Sequence, residues 1–269
     1  MLLLLLPPSF QQNRVSNQAM TALFLRYLLI PTLAGPPRKC PHCSREGGPA
    51  VIADEEHGFS CKQRGPGGLA GHHGSTHHYL QSALIRANKN ISGEGEQVGV
   101  QVEPLLRELD GWSRKEGGPG TQDDKGDLLV TFYNNEHKNV IDIVVTAPIA
   151  RNTAAATKDG LHAAKAHDRK VKSYAARWNH PPEGASGGLV PFAVEVGGRM
   201  HPTARGWVTQ LVKRKVGGGK RYRDFTAAER ASYSYHISTT LTHLSVALQR
   251  CTARTVLQHL TAAQMYAAA

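Results

Sequence analysis

The chain has little of what secreted and membrane proteins rely on. It holds four cysteines in 269 residues: Cys40, Cys43, Cys61 and Cys251. Three fall close together and the fourth is far away. That asymmetry argues against a disulfide framework and for a metal knuckle in a reducing compartment. No apolar run approaches the 18 or so residues that a membrane span needs. The opening leucines, Leu2–Leu6, are too few to cross a bilayer and have no basic residues ahead of them, so they make a poor secretory signal. An intracellular place, nucleus or cytoplasm, is expected, with no membrane partner. No repeat of fixed period occurs, which excludes a solenoid. Acidic residues are the minority, 21 against 32 Lys and Arg, giving a net charge of +11. A chain of that sign attracts polyanions, nucleic acid first.

Glycine and proline are plentiful, at 27 and 15 residues. Their clustering predicts long loops around a compact middle. Residues 18–30 read as an apolar helix stopped by Pro31 and the Gly35-Pro36-Pro37 run. Residues 75–88 read as a second helix with Ser75 as N-cap. Alternation over 98–103 predicts a strand. Residues 110–126 read as a loop. Residues 127–133 and 139–146 read as two strands joined by a polar turn, a hairpin. Residues 153–178 are expected to be helical, 189–196 a strand, and 203–214 and 226–262 helices. The fold class is therefore α/β, a mixed central sheet flanked by helices. The expected organisation is an N-terminal helical segment over 1–37, a zinc knuckle over 38–64, an α/β domain over 75–215 and a helical tail over 220–269.

Two constellations carry chemistry. Cys40 and Cys43 form a CxxC, and His57 and Cys61 follow. Three thiolates and an imidazole suit a closed, structural Zn²⁺ site. His42, His72 and His73 are alternative ligands. The second constellation is acidic. Asp127 opens the first hairpin strand and Asp142 sits in the second between Ile141 and Ile143. A carboxylate in an apolar strand is costly unless it binds a metal or a partner. Two carboxylates side by side would share Mg²⁺ or Mn²⁺. Glu103, at the end of the preceding strand, is expected to join them. Lys170 and Lys172 follow on a helix, where a lysine can steady developing phosphate charge. The plainer alternative makes the acids turn and surface residues and the lysines a solvated helix face.

In this order the motifs resemble the C-terminal region of non-long-terminal-repeat retrotransposon proteins, which carry a CCHC knuckle and a restriction-enzyme-like endonuclease. The related reverse-transcriptase-domain proteins are similar. The knuckle matches Cys40, Cys43, His57 and Cys61. Thr76-His77-His78 stands for an Arg-His-Asn-like triplet, and Glu103-Pro104 for a Glu-Pro strand end. Gly126-Asp127 stands where Pro-Asp is usual, and Asp142 fits the second acidic position. Lys170-Val-Lys-Ser-Tyr174 stands for a Lys-x-x-Lys-Tyr helix, with Ser173 at the second lysine. The resemblance implies a PD-(D/E)xK-type nuclease fold cleaving DNA, with RNA as a further partner. It implies catalytic roles for Asp127, Asp142, Lys170 and Glu103, and nucleic-acid contacts from His77, Lys172 and Tyr174, with packing as the alternative for Tyr174 and capping or packing for His77. Thr76, Gly126 and Ser173 depart from the pattern, as in a decayed element. The chain has no room for a reverse transcriptase, so it is expected to be a fragment or a stand-alone remnant. A non-catalytic nucleic-acid-binding module is the alternative.

Overall fold

The computed structural model describes residues 74, 77–78, 80–82, 98–116, 125–132, 137–146, 160–183, 185–195, 198–218 and 220–268. The four knuckle residues, the helix expected over 18–30, Ser75 and Thr76 lie outside the described residues.

Runs of Val, Leu and Ile, nearly all buried in the central strands, make the sheet. Strands β1 (Val98–Val102), β3 (Leu128–Phe132) and β4 (His137–Thr146) form an antiparallel meander. Strand β6 (Gly188–Glu195) lies parallel to β4, so the sheet is mixed, in the order β1-β3-β4-β6. A parallel neighbour needs a crossover. Helix α1 (Leu161–Arg177) lies in that crossover and covers one face of the sheet. Helices α2 (Pro202–Gly217) and α3 (Ala227–Ala268) follow β6.

The side-chain alternation of β4 sorts the core into two layers. Ile141, Ile143 and Val145 join Val190, Phe192 and Val194 of β6 against Trp207 and Val208 of α2. Leu244 and Leu248 of α3 belong to the same cluster, so the helix expected as a tail helps to build the core. On the opposite face, Val144 and Ala193 pack on Ala163 and Ala166 of α1. Val140, Leu129 and Leu189 pack on Tyr174 of the same helix.

One element differs from the sequence reading. Residues 110–126 contain strand β2 (Ser113–Arg114), which pairs with β5 (Trp178–Asn179). Helix α1 therefore stops at Arg177, where the sequence pattern carries it to 178. The cause is tertiary. Trp178 turns into extended backbone to bury its ring with Trp112 and Tyr174. The Trp112 indole also donates to the Gly187 carbonyl at 2.8 Å. A two-residue ladder has no period to read, and burial of two indoles outweighs helix propensity. No described helix is long and apolar enough to cross a membrane.

Candidate active site

The hairpin register sets the site. Leu128 pairs with Ile141 across β3 and β4. The next step of that register places Asp127 opposite Asp142, and residues directly opposed share a face. The Asp127 backbone N–H donates to the Ile141 carbonyl at 3.1 Å, and the Ile143 N–H donates to Asp127 Oδ2 at 2.6 Å. These bonds hold the half-buried Asp127 side chain along β4. Asp142 lies between Val140 and Val144, on the face under α1. It is 4% exposed.

Lys170 and Tyr174 lie one helical turn apart on the buried side of α1, and both reach Asp142. Lys170 Nζ stands 2.8 Å from Asp142 Oδ2 and 3.1 Å from Oδ1. The Tyr174 hydroxyl and the Asp127 carboxyl both lie close enough to Asp142 to feel its charge. Burial pushes the Asp142 carboxyl above the usual carboxylate range; the Lys170 ammonium pulls it back and Asp127 pushes it up again. Burial, and then the Asp142 charge, raise the Tyr174 hydroxyl. Two carboxyl groups in contact repel unless a proton or a cation lies between them. Hard oxygen donors in that arrangement fit a divalent cation, with Asp127 and Asp142 as the residues that would hold it.

No family model, curated protein or solved structure matches the chain.

Glu103 does not join the acids. Its N–H still donates to the Asp127 carbonyl at 3.0 Å, continuing the β1–β3 pairing. Its backbone has φ +48°, in the left-handed region, which ends the strand and redirects the side chain. The carboxylate, 62% exposed, pairs with Lys125 at 3.0 Å. Among the described residues, no three His, Cys, Asp or Glu side chains converge to hold a metal.

Of the two roles expected of Tyr174, the structure shows packing. This residue is too buried to touch nucleic acid, and it packs edge-on against Trp112 at 6.0 Å between ring centroids. Its work is on Asp142. Lys172 is exposed on α1 and open to a partner. His77 sits in a helical turn beside the ring of His78. Leu80, one turn on, joins the α2–α3 core, which places this turn on the other face of the sheet from Asp142.

Gly126 is demanded by this chain's own packing. A Cβ there would come 2.9 Å from Val140 Cγ1, and the Gly126 N–H donates to the Pro104 carbonyl at 3.1 Å. Proline would lose that bond and meet that contact. Ser173 accepts from Arg177, whose guanidinium also lies 5.3 Å from the Tyr174 ring centre. Glu195, alternating with apolar residues in β6, is a structural acid: its Oε1 accepts from the Ala163 N–H and caps α1. The contact between the Tyr174 hydroxyl and Asp142 was missed in the sequence, where only the i, i+4 spacing from Lys170 pointed to it.

Proposed function

We infer that this chain is a PD-(D/E)xK-type, metal-dependent phosphodiester hydrolase derived from a mobile element, with DNA as its substrate. One observation carries the reading: Asp127, Asp142 and Lys170, which lie apart in sequence, meet at one point on a hairpin–helix–strand unit. The mixed sheet with a helical crossover between β4 and β6 supports it.

Asp127 and Asp142 supply the oxygen donors for Mg²⁺ or Mn²⁺. When bound, the ion supplies Lewis acidity and lowers the pKa of a coordinated water. Lys170 orients the attacking water or neutralises a phosphate oxygen. Tyr174 holds Asp142 in place from below. Lys172, outside on the same helix, contacts phosphate. The knuckle of Cys40, Cys43, His57 and Cys61 binds structural Zn²⁺ and folds a polar segment that has little core of its own.

A second reading has its own support. Lys170 already neutralises Asp142, and Glu103 turns away to Lys125. That pattern suits a non-catalytic nucleic-acid-binding module in which the former site is a structural ion pair. Nicking of supercoiled plasmid separates the two. The hydrolytic reading expects Mg²⁺-dependent nicking by the parent, abolished in D127N/D142N. An inactive parent, or equal nicking by the double variant, leaves the binding module.

A further inference from the structure

The connection between α2 and α3 runs Lys220-Arg221-Tyr222-Arg223-Asp224-Phe225. The acidic site makes no use of it. Tyr222–Asp224 form a 3₁₀ turn, and Phe225 behind it is buried against the end of α2. A Cβ on Gly217 would run into the Phe225 ring, so glycine at 217 is what admits this plug. Thr226 and Glu229 cap the start of α3 reciprocally: the Glu229 N–H donates to Thr226 Oγ1 and the Thr226 N–H to Glu229 Oε2. The turn is thus fastened at both ends.

On it stands Tyr222. Its ring rests against Phe225 at 5.4 Å and Tyr233 at 5.2 Å, yet the residue is 46% exposed. Among the described residues, the other exposed large hydrophobics are Val102, Val171 and Tyr235. None of those stands between two arginines. Arg221 is exposed, and the Arg223 side chain is 73% exposed with Asp224 at a loose 3.7 Å. Arg230 Nη2 donates to the Arg223 carbonyl at 3.1 Å, which brings a third guanidinium to the turn. Residues 220–230 hold four cations against two carboxylates, Asp224 and Glu229.

We propose that this turn is a docking site for single-stranded nucleic acid, with a base stacked on Tyr222 and the flanking phosphates on Arg221 and Arg223. An aromatic ring held in place, half open and flanked by cations, fits an unpaired base and its backbone. A duplex hides its base faces and would use the arginines alone. The turn lies on the α2–α3 side, across the sheet from Asp142, and binding there needs no divalent ion. The inference stands apart from the hydrolytic reading.

The test uses the full chain without added Mg²⁺ or Mn²⁺ and a fluorescein-labelled oligo(dT) 20-mer, followed by anisotropy across a salt series. Tyr222→Leu should weaken binding about tenfold, because a stacked base is lost. Tyr222→Phe, which keeps the ring, should restore it. Arg221→Gln/Arg223→Gln should flatten the dependence of log affinity on log salt by about 1.4, two phosphate contacts at roughly 0.7 each. A duplex of the same length should respond to the arginine pair and ignore Tyr222→Leu. An oligo(U) arm should behave as oligo(dT) does. Parent-like affinity in both the leucine and the arginine variants overturns the proposal. So does binding to vesicles rich in phosphatidylserine without binding to oligo(dT). If Tyr222→Leu unfolds the chain, the exposed arginine pair still decides.

Discussion

At the scale of single residues, the structure turns on one buried carboxylate. Asp142 is tolerable under α1 because the Lys170 ammonium reaches it and offsets part of a burial cost to which Asp127 adds. Removing one member of a buried pair leaves an uncompensated charge. Lys170 is about one third exposed, so water can replace part of what it gives. Lys170→Met should therefore cost about 1–3 kcal/mol in urea unfolding. Asp142→Asn should cost less, since the lysine can swing to solvent. Equal losses would mean that the charge pair is not what holds this spot. Asp127 and Asp142 were legible in the sequence because two apolar strands and a polar turn between them fix which residues face one another. Glu103 was not. Its direction depends on one left-handed backbone angle at a strand end, and no pattern over several residues records that.

At the scale of elements, the start of α2 carries a pH dependence. His201 caps the helix, its Nδ1 accepting from the Thr203 N–H at 3.3 Å. Its ring stacks on His167 of α1 at 3.9 Å. Glu183 lies 3.8 Å from His167 and accepts from Thr203 Oγ1. A protonated ring cannot accept through Nδ1, and the helix N-terminus disfavours positive charge. Burial, and then His167, hold His201 below its ordinary value near 6.5, against Asp168 and Glu183. The neutral ring thus belongs to the folded state. Its contribution is complete above pH 6.5 and falls as pH drops through the lower folded value. His137 and His236 shift in the same direction, each chiefly by burial. Urea midpoints should decline from pH 7 to 5.5. His201→Asn, which keeps an acceptor without a titrating charge, should decline less. A slope equal to the parent's would remove His201 from this account. The helix itself was readable from its spacing; the stacking of two histidines distant in sequence was not, because only the folded sheet edge brings them together.

At the scale of the whole molecule, the mixed sheet was readable because its central strands are apolar runs rich in Val, Ile and Leu and its crossover helix is long. The short ribbon of β2 and β5 was not, since tertiary burial of Trp112 and Trp178 makes it. The sequence also presents 220–269 as a tail, yet Phe225, Leu244 and Leu248 are buried and the two leucines join the main core. Deleting residues 220–269 should abolish cooperative melting, because several large buried side chains leave together. A shortened chain that melts as sharply as the parent would show that α3 is dispensable.

Asp127 and Asp142 are proposed to hold one divalent cation between them. Calorimetric titration of the full chain with Mn²⁺ decides whether they do. A saturable site is expected in the parent, about one ion per chain beyond any bound zinc, and it should be lost in D127N/D142N while the double variant keeps its far-ultraviolet circular dichroism. No such site in the parent, or an undiminished one in the folded double variant, would contradict the proposal.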